Sequence, residues 1–104
     1  MLPPLTDYEE SAVAESEEKV EEPPLFKVLL HNDDFTTMEF VIWILESIFN
    51  MAEEQAIQVM LNVHLRGIGV AGIYTYEIAE TKVERTTTLA REQEFPLLVT
   101  MEQV

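Results

Sequence analysis

Four side chains of this sequence share one chemical property, which is that each can accept a hydrogen bond while the histidine among them is neutral. They are Asn32, Asp33, Asp34 and His64. Acceptors that also carry negative charge suit a positively charged ligand that donates hydrogen bonds and accepts none. The α-ammonium group of a protein chain is such a ligand. The same residue types are common in turns, so residues 32–34 could equally be an ordinary polar turn and His64 a partly buried helix residue.

Apolar side chains accompany this polar set along the sequence. Met60 and His64 are four residues apart, so they share one face of a predicted helix. Ordinary core packing is the simpler explanation for the two valines. The two methionines near a polar turn fit an adaptable pocket as well as they fit a core, because the thioether side chain is flexible and polarisable. The candidate pocket residues are Thr36, Met38, Val41, Met60, Val63 and Leu97.

Residues typical of enzymes and metal sites are missing or badly placed. Ser11 and Ser16 lie in an acidic N-terminal stretch, and Ser47 has no histidine near it in sequence, so a hydrolytic triad is not predicted. The glycines do not form a phosphate-binding loop, residues 32–34 lack the spacing of a calcium loop, and neither histidine has the partners of a zinc motif. We therefore predict no catalytic residue, no metal site and no cofactor.

The 104-residue chain is strongly acidic, with 20 acidic and 6 basic side chains and a net charge of −14. This charge repels nucleic-acid phosphates and anionic membranes and suits a cationic partner, although acidity also serves solubility alone. The absence of cysteine favours a reducing compartment such as the cytosol. No apolar run approaches the ~20 residues of a membrane span, and the first four residues do not begin a secretion signal.

The chain length fits one domain, and composition divides it near residue 25. Residues 1–24 hold eight acidic side chains against the single Lys19, together with four prolines. Such a segment cannot bury enough apolar surface to offset the entropy of ordering. We therefore expect a flexible N-terminal tail over residues 1–24 and a folded domain over residues 25–104.

The folded part begins with a strand and a helix. Residues 25–31 form a short apolar run typical of a strand, and the turn at residues 32–34 ends it. Thr36 and Glu39 form a capping box, which predicts that a helix begins there. The apolar stripe of this helix is Val41, Ile44, Leu45 and Ile48.

The remaining elements complete a small mixed fold. A second helix is predicted over residues 52–65 with Gly67 as its stop, and the glycines of residues 67–72 indicate a strand with a turn or a bulge. Thr75 can cap a third helix, whose centre is weakened by three consecutive threonines, and residues 97–102 alternate as a final strand. The order β-α-α-β-α-β predicts an α+β fold with three helices on an antiparallel three-stranded sheet.

Four stretches closely resemble the signature motifs of the ClpS adaptor family. Residues 29–41 resemble the first motif, residues 56–64 the second, and residues 79–83 and 96–98 the third and fourth. The resemblance keeps the family's order and spacing across residues 25–104. Thr37 departs from those members that carry proline there, at a helix start that accepts either residue.

The resemblance implies that the protein is an adaptor and not an enzyme. Such adaptors hold protein N-termini that begin with Leu, Phe, Tyr or Trp and deliver them to a Clp-family AAA+ unfoldase. Residues matching Asn32 and His64 hold the substrate's α-amino group, while Asp33 assists through water and Asp34 lies alongside. The first side chain enters a pocket formed by the residues matching Thr36, Met38, Val41, Met60, Val63 and Leu97.

The resemblance also implies a second contact surface. Residues matching Glu77 and Lys82 dock on the N-terminal domain of the unfoldase ClpA or ClpC, the tail takes part in delivery, and the adaptor is monomeric. An acidic interaction module of similar fold, such as the C-terminal domain of the ribosomal stalk protein, is the alternative, but it would not need Asn32 and His64 beside a Met-rich pocket. An aminopeptidase-like enzyme is the third possibility, and the missing nucleophile and metal set argue against it.

Overall fold

The structure, a computed structural model of the protein, describes residues 22–104. The predicted tail over residues 1–24 therefore lies almost wholly outside the described residues. Residues 22–24 are exposed and irregular, and the first strand begins at Leu25.

The described chain alternates strands and helices in the order expected from the sequence. Strand β1 lies at the centre of the sheet and pairs antiparallel with β2 on one side and with β3 on the other. This arrangement confirms the α+β prediction. The elements are β1 (Leu25–His31), α1 (Met38–Ser47), α2 (Glu53–Arg66), β2 (Ile68–Thr75), α3 (Tyr76–Glu92) and β3 (Leu98–Gln103).

The start of α1 is one residue later than the sequence predicted. Thr37, and not Thr36, is the N-cap, and its side-chain oxygen accepts a hydrogen bond from the backbone N–H of Phe40 at 3.2 Å. The hydroxyl of Thr36 donates instead to the carboxylate of Asp33 at 2.7 Å. The acidic turn therefore competes for Thr36, and the next threonine takes over the capping role.

The end of α2 agrees with the prediction. Gly67 is the C-cap, with φ of 87°, and its backbone N–H donates to the carbonyl of Val63 at 2.9 Å. Glycine adopts this left-handed conformation without the steric cost that a Cβ atom imposes. The chain then turns directly into β2. Its pairing with β1 shifts between Val28 and Leu29, so the glycine-rich strand contains an irregularity of the bulge type, which is one of the two expected alternatives.

The core lies between the helices and one face of the sheet. The predicted stripe of α1 is buried throughout, and the β1 residues Val28 and Leu30 meet it from the sheet. Thr86 is also fully buried, so packing against the sheet holds α3 helical through the threonine run that weakens its intrinsic propensity. The buried stripe residues of α1 are Val41, Ile44, Leu45 and Ile48.

Helix α2 lies close against β2 because a glycine leaves room for it. A Cβ atom added at Gly69 would lie 2.6 Å from Cγ2 of Val63 and 3.3 Å from the carbonyl oxygen of Val59. Real Cβ contacts are not that short, so any larger residue at Gly69 would displace α2. This contact fixes the position of Val63 relative to the sheet, and Val63 faces the cavity described next.

Candidate functional site

The loop after β1, the start of α1 and the end of α2 enclose a cavity of about 470 Å³. We call it the α1–α2 cavity. All of the predicted polar residues, and five of the six predicted pocket residues, line it. Its lining comprises Asn32, Asp33, Asp34, Phe35, Thr36, Thr37, Met38, Glu39, Val41, Met60, Val63 and His64.

One backbone contact joins the two sides of the polar end of this cavity. The backbone N–H of Asn32 donates to the carbonyl of Gly67 at 2.9 Å, so the end of β1 is tied to the C-cap of α2. His64 lies in the last turn of α2, three residues before that glycine. Asn32 and His64, 32 positions apart in sequence, therefore line the same cavity with exposed side chains.

Asp33 organises the loop itself. Its Oδ1 accepts hydrogen bonds from the backbone N–H groups of Phe35 and Thr36, at 2.8 and 2.7 Å, and its Oδ2 accepts from the Thr36 hydroxyl at 2.7 Å. Partial burial on its own would raise the pKa of Asp33, but these bonds from Thr36 and Phe35, together with the positive charge of Arg91, bring that pKa below its ordinary value. The carboxylate is therefore ionised at neutral pH and already bonded on both oxygens.

Asp34 contrasts with its neighbour. Its side chain is exposed, and it lines the same cavity as Asn32 and His64. The polar end of the cavity thus presents an amide, an accessible carboxylate and an imidazole. An amide oxygen, a carboxylate and a neutral imidazole nitrogen are all acceptors, and together they suit a cationic donor.

Apolar side chains form the rest of the wall. Val41, Met60 and Val63 are buried and present the cavity with an apolar surface, while Met38 is 43% exposed at its rim. Leu97, the sixth predicted pocket residue, is not among the lining residues. It is 1% exposed in the core, and its carbonyl accepts a hydrogen bond from Arg91 at 3.0 Å.

Three further residues, which sequence reasoning had not selected, also line the cavity. Phe35, Thr37 and Glu39 complete the loop and the first turn of α1, so they alternate with residues that were selected. Their continuity with Asp34, Thr36 and Met38 is the signal that could have identified them. The Phe35 ring is mostly exposed, and its backbone is held by Asp33.

Within residues 22–104, no group of three or more His, Asp or Glu side chains is placed to hold a metal ion. Nε2 of His31 lies 2.8 Å from the hydroxyl of Thr100 on β3, outside the lining of the α1–α2 cavity. In the same span, none of the three helices has the length and apolar character needed to cross a bilayer.

The residues predicted to dock an unfoldase lie on α3, outside the α1–α2 cavity. Glu77 is exposed in the first turn of α3. Lys82 is half-buried. Its ammonium group donates to the carbonyl of Ile48 at the C-cap of α1. The same group lies 5.8 Å from the ring centre of Phe49 and 5.5 Å from that of Tyr74. Lys82 therefore joins two helices, because an ammonium group near a helix C-terminus stabilises its free carbonyls.

Comparison with known proteins agrees with this geometry. The model of the family described as "ATP-dependent Clp protease adaptor protein ClpS" matches residues 21–100. The ATP-dependent Clp protease adapter protein ClpS of Myxococcus xanthus is 47% identical over 98 residues, which is 92% of each chain. The protein of the same name from Lawsonia intracellularis is 57% identical over 88 residues, covering 85% of this chain and 81% of that one.

A solved structure is also similar. The structure of Agrobacterium tumefaciens ClpS2 bound to L-phenylalaninamide superposes with a TM-score of 0.77 and 41% sequence identity, covering 80% of this chain and all of that one. The family match spans most of the chain, including both sides of the α1–α2 cavity and the whole of α3. The chain therefore belongs to the ClpS family of ATP-dependent Clp protease adaptor proteins.

Proposed function

We propose that this adaptor binds protein N-termini whose first residue is Leu, Phe, Tyr or Trp and delivers those proteins to a Clp AAA+ unfoldase. The observation that carries the proposal is the α1–α2 cavity, which has hydrogen-bond acceptors at one end and apolar walls beside them. A free N-terminal residue has the matching chemistry, because a donor-only ammonium group and an apolar side chain leave the same Cα atom.

The acceptors are assigned as follows. Asn32 offers its amide oxygen, Asp34 its exposed carboxylate, and His64 one ring nitrogen while it is neutral. Asp33 supports them by holding the turn, and it reaches the ammonium group at most through water, because both of its oxygens are already bonded.

The apolar part supplies selectivity for size. Burying one large apolar side chain contributes ~1.5–3 kcal/mol, and two or three charge-assisted hydrogen bonds add ~1.5–3 kcal/mol each before ordering costs. These terms sum to about 4.5–12 kcal/mol, and after an association cost of at least ~4 kcal/mol the net binding free energy is no more favourable than about −8 kcal/mol, which corresponds to micromolar affinity. A contact of this strength selects a substrate and still releases it to the unfoldase.

The similar Agrobacterium protein supports this reading through its ligand. L-phenylalaninamide carries a free α-amino group and a phenyl side chain, so it has the chemistry of an N-terminal phenylalanine. Four lining residues of this chain would take up the corresponding side chain: Met38, Val41, Met60 and Val63. Leu97 would back this pocket from the core.

Delivery would use a different surface. We propose that Glu77, exposed on α3, contacts the N-terminal domain of ClpA or ClpC, and that Lys82 positions α3 for this contact. We also propose that the adaptor acts as a monomer without a cofactor, in the cytosol or a plastid, and performs no catalysis. Deleting residues 1–22 should leave peptide binding intact and impair handover, which a degradation assay with purified unfoldase and peptidase would detect.

Fluorescence anisotropy with a labelled peptide tests the central claim. A peptide that begins with free Leu or Phe should bind, the same peptide with an acetylated N-terminus should not, and neither should be cleaved. His64→Ala should weaken binding, because it removes one of the acceptors that line the cavity. Equal binding of the acetylated peptide would refute the proposed role of the polar end.

A further inference from the structure

A second concave surface lies beside the α1–α2 cavity, and its chemistry is different. This surface, the Trp43 groove, has a volume of about 310 Å³ and is lined by Glu39, Phe40, Trp43, Leu89 and Gln93. Helices α1 and α3 supply its walls. Trp43 is 49% exposed, so the structure leaves half of the largest aromatic side chain of α1 open to solvent. An exposed apolar surface of this kind marks a binding site more often than a random surface does.

The groove has a rigid floor. Phe40 is buried, and its ring centre lies 6.0 Å from that of Trp43 and 4.9 Å from that of Phe95, which follows α3. Both ring pairs are tilted, at a spacing that stabilises aromatic contacts. The indole is therefore supported from beneath by a buried ring, and the groove is formed before any ligand enters it.

The groove and the α1–α2 cavity share one wall. Glu39 lines both of them. Glu39 and Trp43 are four residues apart in α1, so they are neighbours on the helix surface with Cβ atoms about 5–6 Å apart. A chain that leaves the α1–α2 cavity past Glu39 therefore reaches the groove directly.

We propose that the Trp43 groove binds a large apolar side chain, preferably aromatic, from the third to fifth residue of the substrate whose first residue occupies the α1–α2 cavity. This proposal rests on the proposed function. Met38 at the cavity rim and Trp43 are separated by about 7.5 Å along the helix axis and by about 140° around it, so the path over the helix surface is longer than 7.5 Å. An extended peptide advances about 3.3 Å per residue, so its third to fifth residues lie about 7–13 Å from the first and cover this path.

The charge around the groove selects among side chains. Among residues 22–104, Glu39 is the only charged residue that lines it, and the protein as a whole carries a net charge of −14. An acidic side chain at the third to fifth position would meet this carboxylate, whereas an aromatic ring can stack on the exposed indole without a charged partner. The groove thus adds a preference for aromatic over acidic residues just behind the N-terminal one.

The sequence provides its own probe, because Trp43 is the only tryptophan in the chain. Leu-starting peptides of otherwise glycine and serine would carry a single Phe, Asp or Gly at the third, fourth or fifth position. Phe at the best position should tighten binding about fivefold over Gly, the factor expected when about half of an aromatic side chain is buried. Nitrophenylalanine at that position should quench Trp43 emission more strongly than the same group at the tenth position.

Two variants complete the test. Trp43→Ala should abolish the gain in affinity that Phe gives. The variant should bind the Leu-starting peptide with Gly at that position as tightly as the wild type does. Leu65→Ala, which removes a leucine that is 76% exposed and lines neither cavity, should keep the gain. Because Trp43 is half exposed, its replacement should not unfold the protein, and the quenching measurement on the wild type does not depend on any variant.

The outcomes separate this proposal from the one on which it rests. If the Leu-starting peptide with Gly at all three positions does not bind, the proposed function fails. If that peptide binds but Phe, Asp and Gly give equal affinities at all three positions, and nitrophenylalanine there quenches Trp43 no more than it does at the tenth position, the groove is not a substrate subsite. If Trp43 emission instead changes with protein concentration alone, a second copy of the chain occupies the groove and the proposal is overturned.

Discussion

Replacing Asp33 would test whether this carboxylate acts on the ligand or on the loop. Asp33→Ala removes three hydrogen bonds, two from backbone N–H groups and one from the Thr36 hydroxyl. A buried hydrogen bond to a charged group is worth about 1.5–3 kcal/mol, and this half-buried turn is partly screened by water, so we expect a total loss near 2 kcal/mol in the free energy of unfolding. Peptide affinity should fall about tenfold, because Asn32 and Thr36 lose their fixed positions.

Asp33→Asn is the matched control. The amide oxygen of asparagine can still accept from the N–H groups of Phe35 and Thr36, so the turn should persist with the negative charge removed. Urea denaturation would give the free energy of unfolding, and anisotropy with a Leu-starting peptide would give the affinity. If Asp33→Asn loses as much affinity as Asp33→Ala while keeping wild-type stability, the charge contacts the ligand directly and the positioning argument is refuted.

The pH dependence of stability gives an independent check. The pKa of Asp33 is lower in the folded protein than its ordinary value of 3.8. A group with a depressed folded-state pKa stabilises the protein above its unfolded pKa, and this contribution is lost as the pH falls through the folded value. The stability difference between wild type and Asp33→Ala should therefore be constant near neutrality and shrink below about pH 4. A difference that grows on acidification would contradict the assignment.

Four further substitutions test other parts of the structure. Met38→Ala should open the cavity rim to β-branched first residues, so the preference for Leu over Val peptides should narrow; an unchanged ratio would exclude Met38 as the gate. Lys82→Met should lower the free energy of unfolding by about 1–2 kcal/mol, because Ile48 loses its cationic cap; wild-type stability in urea would show that the contact is not structural. Thr86→Val should raise stability by about 1 kcal/mol, since the buried hydroxyl has no hydrogen-bond partner among residues 22–104, and a lower melting temperature would contradict this. Glu77→Lys should weaken binding to an unfoldase N-terminal domain in calorimetry without changing peptide affinity. Equal losses of affinity in both assays would show that the docking surface and the peptide site are not separate.

Local patterns predicted the elements well because each element follows a local rule. The stripe of α1 repeats at helical spacing, and Gly67 stops α2 through its own backbone conformation, so both were predictable from neighbouring residues. The capping error at α1 arose from competition within four residues, where Asp33 takes the hydroxyl of Thr36. Helix-capping preferences are assigned to each residue separately, so they do not show that two groups compete for one hydroxyl.

Contacts between distant residues were beyond the reach of these rules. Lys82 and Ile48 are 34 positions apart, and nothing in the local pattern of α3 indicates that its lysine caps another helix. The pairing of Asn32 with His64 was suggested by shared chemistry and by family resemblance, while their placement in one cavity depends on the turn at Gly67. The Trp43 groove was not predicted, because an aromatic residue in a helix is usually part of the core.

The hydrogen bond between Asn32 and Gly67 has a kinetic consequence. Because the loop end and the α2 C-terminus are tied by the backbone itself, the backbone that carries the acceptors has little freedom to lose on binding. Association should then proceed in a single phase whose rate is linear in peptide concentration, with no slow step of loop closure. The amide proton of Asn32 should also exchange with solvent only when β1 and α2 separate, which makes it a reporter of how often the empty site comes apart.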